Sequence, residues 1–371
     1  MQQIYDILKF SWEHKTALQN GWHDWNYAPE YLQNIQNHKL NALLLLSLEN
    51  HTELCRFLET SINQLEEIIN NPVYKHYVIR KKRGGERHIF APNGQLKQIQ
   101  KRLNYFLQAY YLWIKPAEVH GFVINPHYLG THCNIAANAG IHTGKKHVLN
   151  IDLKDFFPSI SAKQIKSLFS SSYFNFDEQM AIALTLLTTY QAKLPTGAPT
   201  SPVLSNFICL TLDVCLRTFC NLNGLQFTRY ADDLTFSSDI IISQDTIQNI
   251  TQIIKENGFE VNEKKLRLQS YNRKQTVTGL TVNQKVNVDR KLLKKIRAML
   301  HDMTTNGIDT ATRRHFKLKD EITLKHRKRF IYRLNGYINF VGQVRGKNDF
   351  VYIRQKQMFD GLNIKITDLD F

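Results

Sequence analysis

Asp152, Asp232 and Asp233 are the residues of this 371-residue chain whose type and setting call for chemistry. In His147-Val148-Leu149-Asn150-Ile151-Asp152-Leu153, the alternation puts Leu149, Ile151 and Leu153 on one face of a strand. Val148, Asn150 and Asp152 fall on the other, so Asp152 emerges at a strand end just before Lys154-Asp155-Phe156-Phe157-Pro158. In Phe227-Thr228-Arg229-Tyr230-Ala231-Asp232-Asp233-Leu234-Thr235-Phe236, β-prone residues flank a short acidic centre, which predicts a hairpin with two carboxylates at its turn. Asp has poor strand propensity, and like charges held close raise each other's pKa. A divalent cation removes that conflict. A few carboxylates with coordination positions left open suit Mg²⁺ shared with substrate phosphates. Two such ions would activate a 3′-hydroxyl and stabilise the leaving pyrophosphate of an in-line displacement. A solvated acidic turn is the plainer reading of Asp-Asp by itself.

The elements that must position these groups follow from periodicity. Residues 1–70 read as mostly helical, with Leu40, Leu43, Leu44 and Leu48 at helical spacing, a run from Ser61 through Leu65, Ile68 and Ile69, and a stop at Asn70-Asn71-Pro72. Trp12, Trp22 and Trp25 read first as core or helix-packing anchors, with a stacking platform as the alternative. From Tyr74 the period becomes two, and Tyr77–Lys81 and Arg87–Phe90 flank Arg83-Gly84-Gly85-Glu86 as a hairpin. Gln95 to Tyr111 is helical again and 120–147 is loop-rich. Strands at His147–Leu153 and Gly224–Ser237 enclose helices at 161–191 and 202–221; a β-rich stretch runs to about 288 and the remainder is helical and basic. The pattern is α+β with helical ends.

Composition bounds the function. The chain carries 48 Lys+Arg against 32 Asp+Glu, a formal charge of +16, together with 21 Phe, 16 Tyr and 4 Trp. That surplus favours a polyanionic partner, and the rings offer stacking surface for bases. The longest apolar run, Ala42 to Leu46, is far short of the roughly 20 residues of a membrane span, so no membrane role is expected. No basic-then-apolar start is visible, and the five cysteines form no CxxC pair, which suits a reduced cytoplasm. His120, His127, His132, Cys133, His142 and His147 lie at irregular spacings unlike those of structural zinc sites.

Ordered motifs then give a resemblance. Tyr230-Ala231-Asp232-Asp233 resembles the YxDD box of reverse transcriptases, Asp152 with Phe156-Phe157 resembles the first catalytic motif of the same palm, and Leu194-Pro195-Thr196-Gly197-Ala198-Pro199-Thr200-Ser201-Pro202 resembles the intervening LPQG segment. Asn138-Ala139-Gly140-Ile141-His142 and Val277-Thr278-Gly279 resemble the NAxxH and VTG elements of retron-type bacterial reverse transcriptases. The resemblance covers about residues 74–285 and leaves 1–70 unmatched. It implies a right-hand polymerase fold: a helical extension over 1–72, fingers and the NAxxH loop region over 73–146, a palm with a mixed or antiparallel sheet over 147–284, and a basic helical thumb over 285–371. It implies that Asp152, Asp232 and Asp233, with the Leu153 carbonyl, hold two Mg²⁺ ions, and that Lys81, Arg87, Phe156, Phe157, Gly197 and Lys265 form the nucleotide site. Phe157 is then the steric gate against a ribose 2′-hydroxyl, and Arg87 with Lys81 grips the triphosphate of a deoxynucleotide. Thr196 stands where the family usually has Gln, so the contact made by that Gln does not carry over.

For the retron type the resemblance further implies a cognate structured non-coding RNA (msr-msd), priming from a guanosine 2′-hydroxyl, a branched msDNA product, and anti-phage defence with a separately encoded effector. Asn138, His142, Val277, Thr278 and Gly279 would belong to RNA recognition. Between Lys285 and Arg333 stand fifteen Lys/Arg against five Asp/Glu. Asp289 is placed to cap a helix with an apolar seam of Leu292, Ile296, Met299 and Met303, leaving Lys291, Lys294, Lys295 and Arg297 largely off it. Arg313-Arg314 and Lys325-His326-Arg327-Lys328-Arg329 add further cations for phosphate, with Tyr332, Tyr337 and Phe340 beside them as stacking or core residues. Two other readings stay open: another bacterial defence or intron-related reverse transcriptase without branched priming, and a palm-derived RNA-binding protein without turnover.

Overall fold

The computed structural model describes residues 2–20, 35–81, 84–126, 129 and 132–362. Along the chain these form α1 (Gln2–Glu13), α2 (Lys15–Asn20), α3 (Asn37–Leu46), α4 (His51–Leu58), α5 (Ile62–Asn70), β1 (Tyr74–Arg80), β2 (Glu86–Pro92), α6 (Gly94–Ile114) and α7 (Ile135–Gly140). Next come β3 (His147–Asp152), α8 (Phe156–Ser159), α9 (Ala162–Phe169), α10 (Glu178–Thr188), α11 (Ser201–Ile208), α12 (Leu210–Leu222), β4 (Gln226–Tyr230) and β5 (Asp233–Ser238). The chain continues through α13 (Gln244–Glu256), β6 (Arg267–Ser270), β7 (Thr276–Val277), β8 (Leu280–Thr281), α14 (Arg290–Phe316), α15 (Leu324–Arg345) and α16 (Phe350–Asp360).

Two compact units emerge. The first comprises 1–133, 150–236 and 242–267; the second comprises 134–149, 237–241 and 268–371. In the first, β1 and β2 pair antiparallel from Tyr74↔Pro92 to Arg80↔Glu86, as the period of two and the Gly84-Gly85 turn require. The long α6 packs against α3 and α11. Its Tyr110 and Tyr111 are fully buried against Phe207, at ring-centroid distances of 5.5 and 5.2 Å. The catalytic-motif strands belong to a sheet of order β4-β5-β3-β6. The Ala42–Leu46 run is buried within α3 as core.

The second unit gathers α7, β7, β8, α14, α15 and α16 around one apolar cluster that includes Ala139, Val277, Leu280, Ile296, Met299, Phe330, Leu334 and Ile338. Asp289 caps α14 as its position suggests, accepting from the Lys291 amide at 2.7 Å. The helix bends at Gly307, where φ is 76° and ψ 166°. Thr323 opens α15 with a capping box closed by His326.

Two sequence expectations need correction. Trp12 is 72% exposed, because the buried face of α1 is Ile4, Ile7 and Ser11; Trp22 and Trp25 lie outside the described residues. The stretch read as β-rich up to 288 contains the 13-residue α13. Ser243 caps it, and Ile247, Ile250 and Ile254 are buried at helical spacing. Its isoleucines look β-prone until that spacing is weighed. Among the described residues no single helix is long and apolar enough to cross a membrane; the bent pair α11–α12 reaches the mark on combined length and composition.

Candidate active site

β3 ends at Asp152, and three backbone hydrogen bonds anchor this strand end. The Leu153 amide donates to the Asp232 carbonyl (3.0 Å), the Lys154 amide to the Glu260 carbonyl (2.8 Å), and the Asn262 amide to the Asp152 carbonyl (2.8 Å). The strand is thereby tied to the β4–β5 turn on one side and to the Glu260–Asn262 segment on the other. Ala231 in that turn has φ of 60° and Asp155, which precedes α8, has φ of 45°. Non-glycine residues in the left-handed region cluster at functional sites, where surrounding contacts outweigh their cost.

The turn is held from beneath by a buried polar network. The Arg229 guanidinium, 0% exposed, donates to both Asp213 oxygens at 2.6 Å, to Asn206 Oδ1 at 2.8 Å and to the Ala231 carbonyl at 3.3 Å. Burial works against the Arg229 charge, but Asp213 more than offsets it and raises its pKa. Beside the turn, a Cβ on Gly121 would collide with the backbone of Ala231 and Tyr230, so only glycine permits that approach. The same loop pairs with β4: the His120 amide donates to the Arg229 carbonyl and the Arg229 amide to the Glu118 carbonyl, both at 3.0 Å.

A cavity of about 400 Å³ opens at this junction. Its walls bring together the predicted Lys81, Arg87, Asp152, Leu153, Phe156, Phe157, Asp232 and Lys265. Burial raises the Asp232 pKa first, the Asp152 charge adds to it, and Lys265 and Arg87 pull it back. Asp233 is exposed at the turn, yet it is pushed up to about 6, by the surrounding protein first and then by the charges of Asp232 and Asp152. Asp152 and Asp232 line the cavity, and the Asp233 carboxylate feels the charge of both. Their all-oxygen, mutually repelling donor set fits a hard divalent cation. No group of three or more His, Cys, Asp or Glu side chains among the described residues is arranged as a ready metal cage. Instead the Lys265 ammonium balances Asp152, donating to its two oxygens at 2.8 and 2.9 Å, and Asn262 Nδ2 approaches at 3.4 Å.

The remaining predicted residues occupy varied positions. Phe156 is buried and packs on Phe259 (5.8 Å), so it is cavity floor, whereas Phe157 is half-buried. Gly197 (φ 122°) is demanded by β2: a Cβ there would meet Ile89 Cγ2 at 2.6 Å, and the Phe90 amide donates to the Thr196 carbonyl at 2.8 Å. In the second unit, α7 packs on β7 and β8, placing Asn138 and His142 with Val277, Thr278 and Gly279. Asn138 and His142 are both 0% exposed. His142 Nδ1 shares a hydrogen with Ser237 Oγ (2.7 Å), neither polar atom of the Asn138 side chain has a partner among the described residues, and Thr278 Oγ1 donates to the Ile135 carbonyl (3.4 Å). Full burial corrects the expectation that the Asn138 and His142 side chains contact RNA: both are sealed inside the unit.

The predicted cations divide. Lys291, Lys294, Lys295 and Arg313 are exposed, with Lys295 lying 5.0 Å from the Tyr337 ring centroid. Arg314 donates to Asp302 and Arg327 forks onto Asp309 (2.6 and 2.9 Å). Lys325, Lys328 and Arg329 line one open groove on α15 with Tyr332, Arg333 and Tyr337. The sequence reading missed Asn206, Arg229, Asp213 and Phe122. Only the glycine-aromatic pair Gly121-Phe122 left a visible signal.

The chain is similar in sequence to known proteins. Residues 79–283 match the reverse transcriptase (RNA-dependent DNA polymerase) family, and the chain belongs to that family. Its fold is accordingly the right-hand polymerase fold and its class of enzyme is RNA-directed DNA polymerase. The relatives narrow this to the retron type. The chain is 34% identical over 263 residues to the Retron Mx65 reverse transcriptase of Myxococcus xanthus, covering 65% of this chain and 59% of that protein. It is 32% identical over 286 residues to the Retron Ec86 reverse transcriptase of Escherichia coli, covering 74% of this chain and 83% of that protein. The chain thus spans about three fifths of the length of the first relative and four fifths of the second. Among solved structures, telomerase from Candida albicans in complex with a TWJ fragment of telomeric RNA aligns with 81% of this chain and 65% of its own, at TM-score 0.47 and 11% identity.

Proposed function

We propose that this protein reverse-transcribes a cognate structured RNA from a guanosine 2′-hydroxyl, leaving a branched RNA–DNA product, and that it serves anti-phage defence in the cytoplasm with a separate effector protein. The observation that carries the catalytic part is the hydrogen bond from the Leu153 amide to the Asp232 carbonyl, which joins the two carboxylate segments at one cavity. Asp152, Asp232, Asp233 and the Leu153 carbonyl are the groups that would hold Mg²⁺. When bound, the cations supply activation of the attacking hydroxyl and charge stabilisation for the departing pyrophosphate. Lys81 and Arg87 bind the triphosphate of the incoming deoxynucleotide, Arg87 through its planar fork. Phe157 blocks a ribose 2′-hydroxyl by clash. Lys265, which neutralises Asp152 here, would be the side chain free to bind phosphate with a cation held at Asp152. The α15 groove, lined by cations and tyrosine rings, receives the RNA phosphates and loop bases.

The Lys265–Asp152 pair is also what favours the second reading, an RNA-binding palm without turnover. Purifying the protein with its nucleic acid and sequencing what copurifies separates the readings. Complementary DNA joined 2′–5′ to a guanosine supports the retron reaction. Linear DNA alone supports a reverse transcriptase without branched priming, and RNA alone supports the binding protein.

A further inference from the structure

Phe122 has an aromatic side chain on a backbone that aromatic residues avoid. Its φ is 59°, in the left-handed region, where a bulky side chain is a conformational outlier. Three contacts impose that conformation. Gln108 Nε2 donates to the Phe122 carbonyl at 3.1 Å, and Asn206 Nδ2 donates to the Phe122 carbonyl at 3.3 Å and to the Gly121 carbonyl at 3.0 Å. Asn206 is fully buried, Gln108 nearly so, and the Asn206 side-chain oxygen takes its hydrogen bond from Arg229, which also holds the Ala231 carbonyl of the catalytic turn. The result of this restraint is a ring directed at the nucleotide cavity. Phe122 lines it, and its ring stacks on that of Phe157 with centroids 5.8 Å apart and planes 30° apart.

We propose that Phe122 is a second specificity-determining residue of this cavity, the ring that stiffens Phe157 against the sugar edge, with Gln108 and Asn206 as its positioning residues. The inference rests on the reading of Phe157 as the sugar gate. Discrimination by clash demands a wall that does not yield: a half-buried ring with open space behind it swings aside for one extra hydroxyl, and a backed ring does not. Phe122 provides the backing. The shared link through Asn206 to Arg229 keeps the wall and the catalytic turn in a single frame.

Single-nucleotide addition to a primed RNA template, by the full chain, tests this through the ratio of kcat/KM for a ribonucleotide to that for its deoxynucleotide. Phe157→Ala establishes the gate: a raised ratio is expected, and an unchanged ratio overturns the gate reading and the inference with it. With the gate established, Phe122→Leu is expected to raise the ratio roughly tenfold, mainly by lowering the ribonucleotide KM, while Phe122→Tyr, which keeps the ring, retains the parental ratio. An unchanged ratio in Phe122→Leu overturns the inference and leaves the gate standing. Should Phe122→Leu fail to fold, Gln108→Met removes only the amide from the Phe122 carbonyl. A raised ratio there supports the role, and an unchanged one overturns it.

Discussion

Arg229 and Asp213 illustrate how much of this site depends on groups that never meet the substrate. Each is sealed from water, and each satisfies the other through a two-pronged pair. Removing one charge strands its partner, which costs more than the pair itself contributes. Asp213→Ala should therefore lower unfolding free energy by roughly 3–5 kcal/mol, read by denaturant titration, whereas Arg229→Met with Asp213→Leu should recover part of the loss. His120, beside the same network, supplies a pH signature. Both ring nitrogens are buried without partners among the described residues, and burial first, then the Lys115 charge, lowers its pKa to about 4 from an ordinary 6.5. The unfolded chain takes its proton first as pH falls. The neutral ring's contribution is thus complete above about 6.5 and is lost progressively toward 4, on the order of 2 kcal/mol. Melting curves across that window should show the loss, and His120→Phe should flatten it.

At the scale of elements, α15 sets several cations along one groove and holds another in a carboxylate fork. Lys325, Lys328, Arg329 and Arg333 share the groove, while Arg327 is committed to Asp309. Changing the first four to Gln together should reduce the slope of log affinity for RNA against log salt by roughly one unit per lost phosphate contact, and Arg327→Gln should barely move it. Filter binding at several salt concentrations reads both. Sequence alone could not make that distinction, because Asp309 is 18 residues away from Arg327. The β1–β2 hairpin, the Asp289 cap and the two carboxylate segments were legible because alternation, capping and turn chemistry are local rules. The network under the catalytic turn was not: Arg229 finds Asp213 16 residues back and Asn206 23 residues back. The inside position of Asn138 and His142 was equally hidden, since motif spelling does not reveal burial.

Across the whole molecule, a +16 chain carries a cavity in which cations and carboxylates face each other, and Asp232 and Asp233 at the catalytic turn resist full ionisation. The basic surplus suits a nucleic-acid partner, and the cavity's mixed charge suits a triphosphate with its cations. Both features follow if the protein copies RNA, and neither needs turnover if it only binds RNA. The measurement that bears most directly on this is deoxynucleotide incorporation on a primed RNA template by Asp232→Asn/Asp233→Asn, with RNA affinity measured on the same preparation. Incorporation should fall to background while RNA affinity stays near that of the parent. Incorporation that survives the double change would contradict the assignment of these carboxylates to catalysis.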